Sequence, residues 1–191
     1  MFFFPILPYK RASRKAARQL FQIVMQRSRE PVFFAELGVP DTFSGRFEMI
    51  ALHNGLLINR VRGEGKAGHY LAQALFDEMF LNMEIACRQV GIGDLSVPKQ
   101  IKKMMKALQG RAVIYDQAAE AGGRELADAL DKNLYATAER PSDQVLATMS
   151  DYILACRKDF EVQNLADMLN GQLSFTYLPA GDHDAQISKI A

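Results

Sequence analysis

At 191 residues and 21.4 kDa, with 49% apolar and 24% charged residues, the chain has a globular balance and enough length to bury one core. That excludes a chain disordered throughout and one that spans a membrane. The formal net charge of +1 conceals a basic start, because Lys10, Arg11, Arg14, Lys15, Arg18, Arg27 and Arg29 all precede the first acid, Glu30.

The opening stretch MFFFPILP is apolar but short, and its basic residues follow it, which is the wrong order for a secretory signal. No window reaches the roughly 18 consecutive apolar residues that a membrane-spanning helix needs. Phe2, Phe3 and Phe4 ahead of Lys10, Arg11, Arg14, Lys15 and Arg18 fit an interfacial anchor on anionic lipid, the alternative being a leader packed on the protein's own core. Ala16, Leu20, Ile23 and Val24 then recur at helical spacing, so Ala12 to Arg29 reads as an amphipathic helix that Pro31 ends.

VFFAELGVP reads as a connector turning at Gly38 and Pro40, and Asp41 or Thr42 supplies an N-cap for a helix to about Arg62. Phe43, Phe47, Ile50, Leu57 and Val61 form its main apolar stripe, and Met49, Leu52 and Leu56 widen it so far that a central, covered helix is expected. Arg46, His53 and Arg60 recur every seven residues along it, drifting only about 20° per step, and so share one side. Gly63, Gly65 and Gly68 break the helix, and the next runs from about Tyr70 to Val90 with Leu75, Met79, Phe80, Met83, Cys87 and Val90 on one face. Asp77, Glu84 and Arg88 lie on a neighbouring flank.

A third segment starts before Pro98, with Ile101, Met104, Met105 and Leu108 apolar and Lys99, Lys102, Lys103 and Lys106 covering the rest. Beyond Gly110, Arg111 to Ala121 and Glu125 to Ala138 read as helices parted by Gly122-Gly123. Pro141-Ser142 opens another, carrying Val145, Met149, Tyr152, Cys156 and Phe160, and a short apolar set ends at Gly171. QLSFTYL has some alternation but no sheet to join. The expectation is an all-α, single-domain bundle of about six to eight helices. A basic helix spans 1–30, the main domain 31–178 and a flexible tail 179–191.

Chemistry leaves few traces. Cys87 and Cys156 have no CxxC spacing, and no P-loop, GxSxG, HExxH or strand-led GxGxxG occurs. His53 between two arginines is a poor cation ligand and reads as a hydrogen-bonded structural histidine. Asp128 with Asp131 is too sparse for the magnesium site of an isoprenoid- or quinone-handling enzyme, and a nucleic-acid-binding reading rests only on the first thirty residues. For Arg46, Arg60, Asp77, Glu84 and Arg88, interhelical ion pairs and a partly open polar groove both remain open.

DTFSGRFEMIALHNGLLINRVR, QALFDEMF and GIGDLSVPKQIKKM, in this order and followed by GR, resemble the ubiquinol–cytochrome c chaperone family over about Pro31 to Tyr135. The resemblance implies a helical, non-catalytic assembly factor without cofactor that binds newly made cytochrome b. It also implies work beside the ribosome exit in mitochondrial members. It makes Arg46, Met49, His53, Arg60, Asp77, Phe80, Glu84 and Arg88 the candidate client groove, with the basic N-terminus holding the protein at the inner, cytoplasmic face of the membrane.

Overall fold

A computed structural model describes residues 8–175 as eight α-helices, with no strand among the described residues. They are α1 (Pro8–Arg27), α2 (Pro31–Ala35), α3 (Phe43–Arg62), α4 (Gly65–Gln89), α5 (Val97–Ala121), α6 (Gly123–Asn133), α7 (Asp143–Val162) and α8 (Leu165–Leu169). The fold class expected from periodicity is the one observed.

α3 is the axis of the bundle. Thr42 caps it, its hydroxyl accepting from the Gly45 N–H at 3.1 Å, and Arg60 and Arg62 sit in the last turn, where cations oppose the helix dipole. All residues from Phe47 to Ile58 are buried, so α3 is covered on every side. α4 returns antiparallel along it, Asn54 Nδ2 donating to the Leu75 carbonyl at 3.3 Å. α7 runs parallel to it, since His53 meets Tyr152 and Arg60 meets Phe160. α5 crosses with the same sense, Glu48 meeting Arg111 near its middle and Leu56 meeting Asp116 beyond it.

The core has two parts. The larger gathers Leu20, Val24, Phe33, Met49, Leu57, Val61, Leu71, Leu75, Tyr152, Cys156 and Phe160 from α1, α2, α3, α4 and α7, with α6 and α8 closing it. The smaller joins Phe21, Phe47, Ile50, Met79, Phe80, Met83, Cys87, Met104 and Leu108. Cys87 and Cys156 are free and buried.

α1 packs into the bundle, with Ser13, Ala16, Ala17, Leu20, Phe21 and Val24 buried. Three expectations need correction. α5 is one helix through Gly110, because Met104, Leu108 and Tyr115 keep a single buried face across it and an exposed glycine costs only about 1 kcal/mol. α4 starts at Gly65, whose φ of +63° makes the turn out of α3, and Gly68 lies inside the helix instead of breaking it. Pro31 begins the short α2, which drives Phe33 fully into the core. The leader with Phe2, Phe3 and Phe4, and the tail from 179, lie outside the described residues.

Candidate functional site

The expected stripe of Arg46, His53 and Arg60 shares one side of α3 but not one depth. Arg46 lies in the first turn, exposed and clamped by Asp41, with Nε–Oδ1 at 2.5 Å and Nη2–Oδ2 at 3.1 Å. That guanidinium holds the Asp41 carboxyl below its ordinary range. Arg60 is largely covered and closes the end of α7, donating to the Phe160 carbonyl at 2.8 Å and the Gln163 carbonyl at 3.1 Å, with Glu64 completing its shell. Its fork satisfies carbonyls that the helix end leaves open.

His53 and Met49 are each 0% exposed, which removes both from any open groove. Both ring nitrogens of His53 are engaged: Nδ1 meets the Met49 carbonyl at 2.8 Å and Ser28 Oγ at 3.0 Å, and Nε2 meets the Tyr152 hydroxyl at 2.6 Å. A carbonyl only accepts, so Nδ1 carries the proton and Nε2 accepts from Tyr152. Burial pushes the imidazole down to about 4, and the Arg27 charge acts in the same direction. Phe33 and Phe175 pack edge-on to the ring at 5.7 Å each, so no ligand reaches it. It is a structural knot joining α1, α2, α3, α7 and the final segment, where Arg27 donates to the Phe175 carbonyl and lies over its ring.

The α4 candidates face elsewhere. The side of α4 that meets α3 carries Leu75 and Met79, so neither Asp77 nor Glu84 reaches Arg46 or Arg60. Asp77 accepts from Gln73 at 2.7 Å, Glu84 pairs with Arg88 at 2.8 Å, and Arg88 also holds Asp94 at 3.1 Å. Phe80 is buried and packs on Phe76, centroids 4.7 Å apart. The ion pairs that do join helices are Arg18–Glu78, Arg111–Glu48 and Arg157 with Asp116 and Glu120. Glu48 is the costly one: it is 5% exposed, and burial pushes its carboxyl up to about 7 although Arg111 works against that.

Besides a cleft of about 480 Å³ between α6 and α7, lined by Arg124, Asp128, Arg140 and Asp151, one of about 430 Å³ opens beside the α3–α4 elbow, lined by Ile58, Arg62, His69, Ala72, Gln73 and Phe76. Ile58, Ala72 and Phe76 give an apolar floor, while Arg62 and His69 are exposed at its edge. On the other flank of α4, His69 and Gln73 also line a smaller cleft with Ser13, Arg14 and Asp77. Another cleft, of about 270 Å³ between α3 and α7, is lined by Arg60 and by Arg157, which pairs with Asp116 and Glu161. Of the residues expected in the client groove, only Asp77 lines either α4 cleft, and of those expected at the membrane, Arg14 lines the smaller one. Arg62, His69 and Phe76 escaped notice because each looks ordinary alone, and their meeting depends on the angle at which α4 leaves α3. No group of carboxylates, histidines and cysteines suited to a metal ion occurs among the described residues.

A family model described as ubiquinol-cytochrome C chaperone matches residues 35–175. The crystal structure of the Cbp3 homolog from Brucella abortus superposes with a TM-score of 0.77 at 31% identity, covering 87% of this chain and 92% of that one. Ubiquinol-cytochrome-c reductase complex assembly factor 1 of Xenopus laevis is 26% identical over 119 residues, 62% of this chain and 60% of that protein. The Homo sapiens assembly factor 1 is 22% identical over 120 residues, 63% of this chain and 40% of that protein. The chain thus spans between 40% and 60% of the length of the curated relatives it matches.

Proposed function

The chain belongs to the ubiquinol–cytochrome c chaperone family, and from that premise we propose that it is a non-catalytic assembly chaperone of the cytochrome bc complex that holds newly made cytochrome b. The observation carrying this reading is the family match from residue 35 to 175, which takes in α3 to α8 entire. The names of the relatives, assembly factors of ubiquinol–cytochrome c reductase, supply the complex. A holdase needs an apolar surface with polar margins and no reacting group. The α3–α4 cleft supports that role: Ile58, Ala72 and Phe76 suit the apolar ridge of a client helix, and Arg62 and His69 suit carboxylates or free carbonyls at its end.

Such a chaperone works where its client enters the membrane. None of the described helices is long and apolar enough to cross a membrane. Arg11, Arg14, Lys15 and Arg18 are exposed on α1, and Lys10 sits in its first turn, a set of cations suited to anionic lipid near the ribosome exit.

Deleting the gene is expected to remove most of the assembled cytochrome bc complex, read by native gels and by the haem b difference spectrum, while other respiratory complexes persist. Expression of this chain from a plasmid restores it. A deletion strain with normal bc complex content sinks the reading.

A further inference from the structure

We propose that the outer face of α5, together with the α4–α5 corner, is a docking surface for an anionic lipid membrane. From Leu95 to Tyr115 the sequence contains no acid, yet holds Lys99, Lys102, Lys103, Lys106 and Arg111. Arg111 turns inward to Glu48. The four lysines are exposed, and none has an ion-pair partner among the described residues, where every ion pair uses an arginine. At 3.6 residues per turn Lys99, Lys102, Lys106 and Val113 fall on the side opposite buried Met104, Leu108 and Tyr115.

Aliphatic side chains project from this cationic face. Leu95, at the corner, is 99% exposed, Val90 57% and Val113 55%. Asp94, the acid next to Leu95, is held by Arg88, which also pairs with Glu84, so the excess positive charge of this surface lies along α5 and not at the corner. Exposed aliphatics on the helix that carries these lysines and in the turn that leads into it match an anionic interface, where the leucine leaves water at the acyl boundary and the lysines reach the headgroups. The cations of α1 are less free. Arg18 pairs with Glu78, and Asp77 lines the same cleft as Arg14. Charge complementarity therefore favours α5 over α1 as the principal lipid contact, a conclusion independent of which client the protein holds.

Co-sedimentation of the full chain with phosphatidylcholine vesicles, with and without phosphatidylserine, tests this. Each lysine near an anionic surface is worth roughly fivefold in partition. Lys99→Glu, Lys102→Glu, Lys103→Glu and Lys106→Glu together are thus expected to lower binding to phosphatidylserine vesicles by about 600-fold or more. Leu95→Ser alone should lower it by about threefold. Reversal of Arg11, Arg14 and Lys15 to Glu should cost less than the lysine reversal. All these side chains are exposed, so circular dichroism should stay native. Unchanged sedimentation of the lysine variant, or equal wild-type binding to neutral and anionic vesicles, overturns the assignment. So does dependence on the lysines with none on Leu95, which would mark a surface for a polyanion such as nucleic acid.

Discussion

Gly68→Ala is expected to destabilise the protein by about 3 kcal/mol, lowering its melting temperature by about 6–12 °C. A Cβ at this position would overlap the Val61 carbonyl oxygen and approach Glu64 Cβ to 2.7 Å and the Val61 carbonyl carbon to 3.1 Å. The Val61 atoms are backbone at the end of α3, itself anchored by the buried Val61 side chain, so relief requires opening the α3–α4 elbow. Because Ile58, Arg62 and His69 flank that elbow, the same variant should widen the proposed client cleft. Gly110→Ala is the matching control: a Cβ there meets nothing within 4 Å, and the exposed helical site should gain about 0.5–1 kcal/mol. Thermal unfolding of both variants checks the pair, and a native melting temperature for Gly68→Ala contradicts the tight elbow.

His53→Ala should cost about 3–5 kcal/mol, from the cavity left by the ring and from the Tyr152 and Ser28 hydroxyls deprived of a partner. The buried ring also ties stability to pH. Its folded value near 4 lies below the ordinary 6.5, so the unfolded chain binds more protons between them, and this contribution is lost as pH falls from about 6.5 to about 4. Glu48 acts the other way. Its folded value near 7 lies above the ordinary 4.5, so its contribution is full below about 4.5 and is lost as pH rises through about 7. The two slopes oppose each other between about pH 4.5 and 6.5, and wild-type stability from this pair should be nearly flat there. Glu48→Gln should expose the histidine slope, about 1.4 kcal/mol per pH unit within that window. Urea unfolding across that range measures it, and parallel pH profiles for wild type and Glu48→Gln contradict the assignment.

Much of the fold was legible because each long helix carries a stripe that periodicity detects, and α3, apolar nearly all round, had to be central. Periodicity gives direction around a helix and not depth below the surface. Arg46, His53 and Arg60 do share a side of α3, but its first turn is in solvent, its middle is sealed by α1, α2 and α7, and its last turn meets the end of α7. The same spacing thus yields an exposed clamp, a buried knot and a helix cap. Glu48 sits alone inside an apolar run, and nothing local in the sequence identifies Arg111 as its partner. The α3–α4 cleft was invisible for a related reason, since it exists only through the angle that Gly65 and Gly68 allow between two helices.

Capture of the client tests the chaperone claim most directly. The tagged chain, purified from detergent-solubilised membranes during active synthesis, is expected to bring down newly made cytochrome b. Arg62→Glu with His69→Glu, both exposed at the cleft edge, should reduce that capture by about tenfold while helicity is retained. A wild-type purification that contains no cytochrome b contradicts the account.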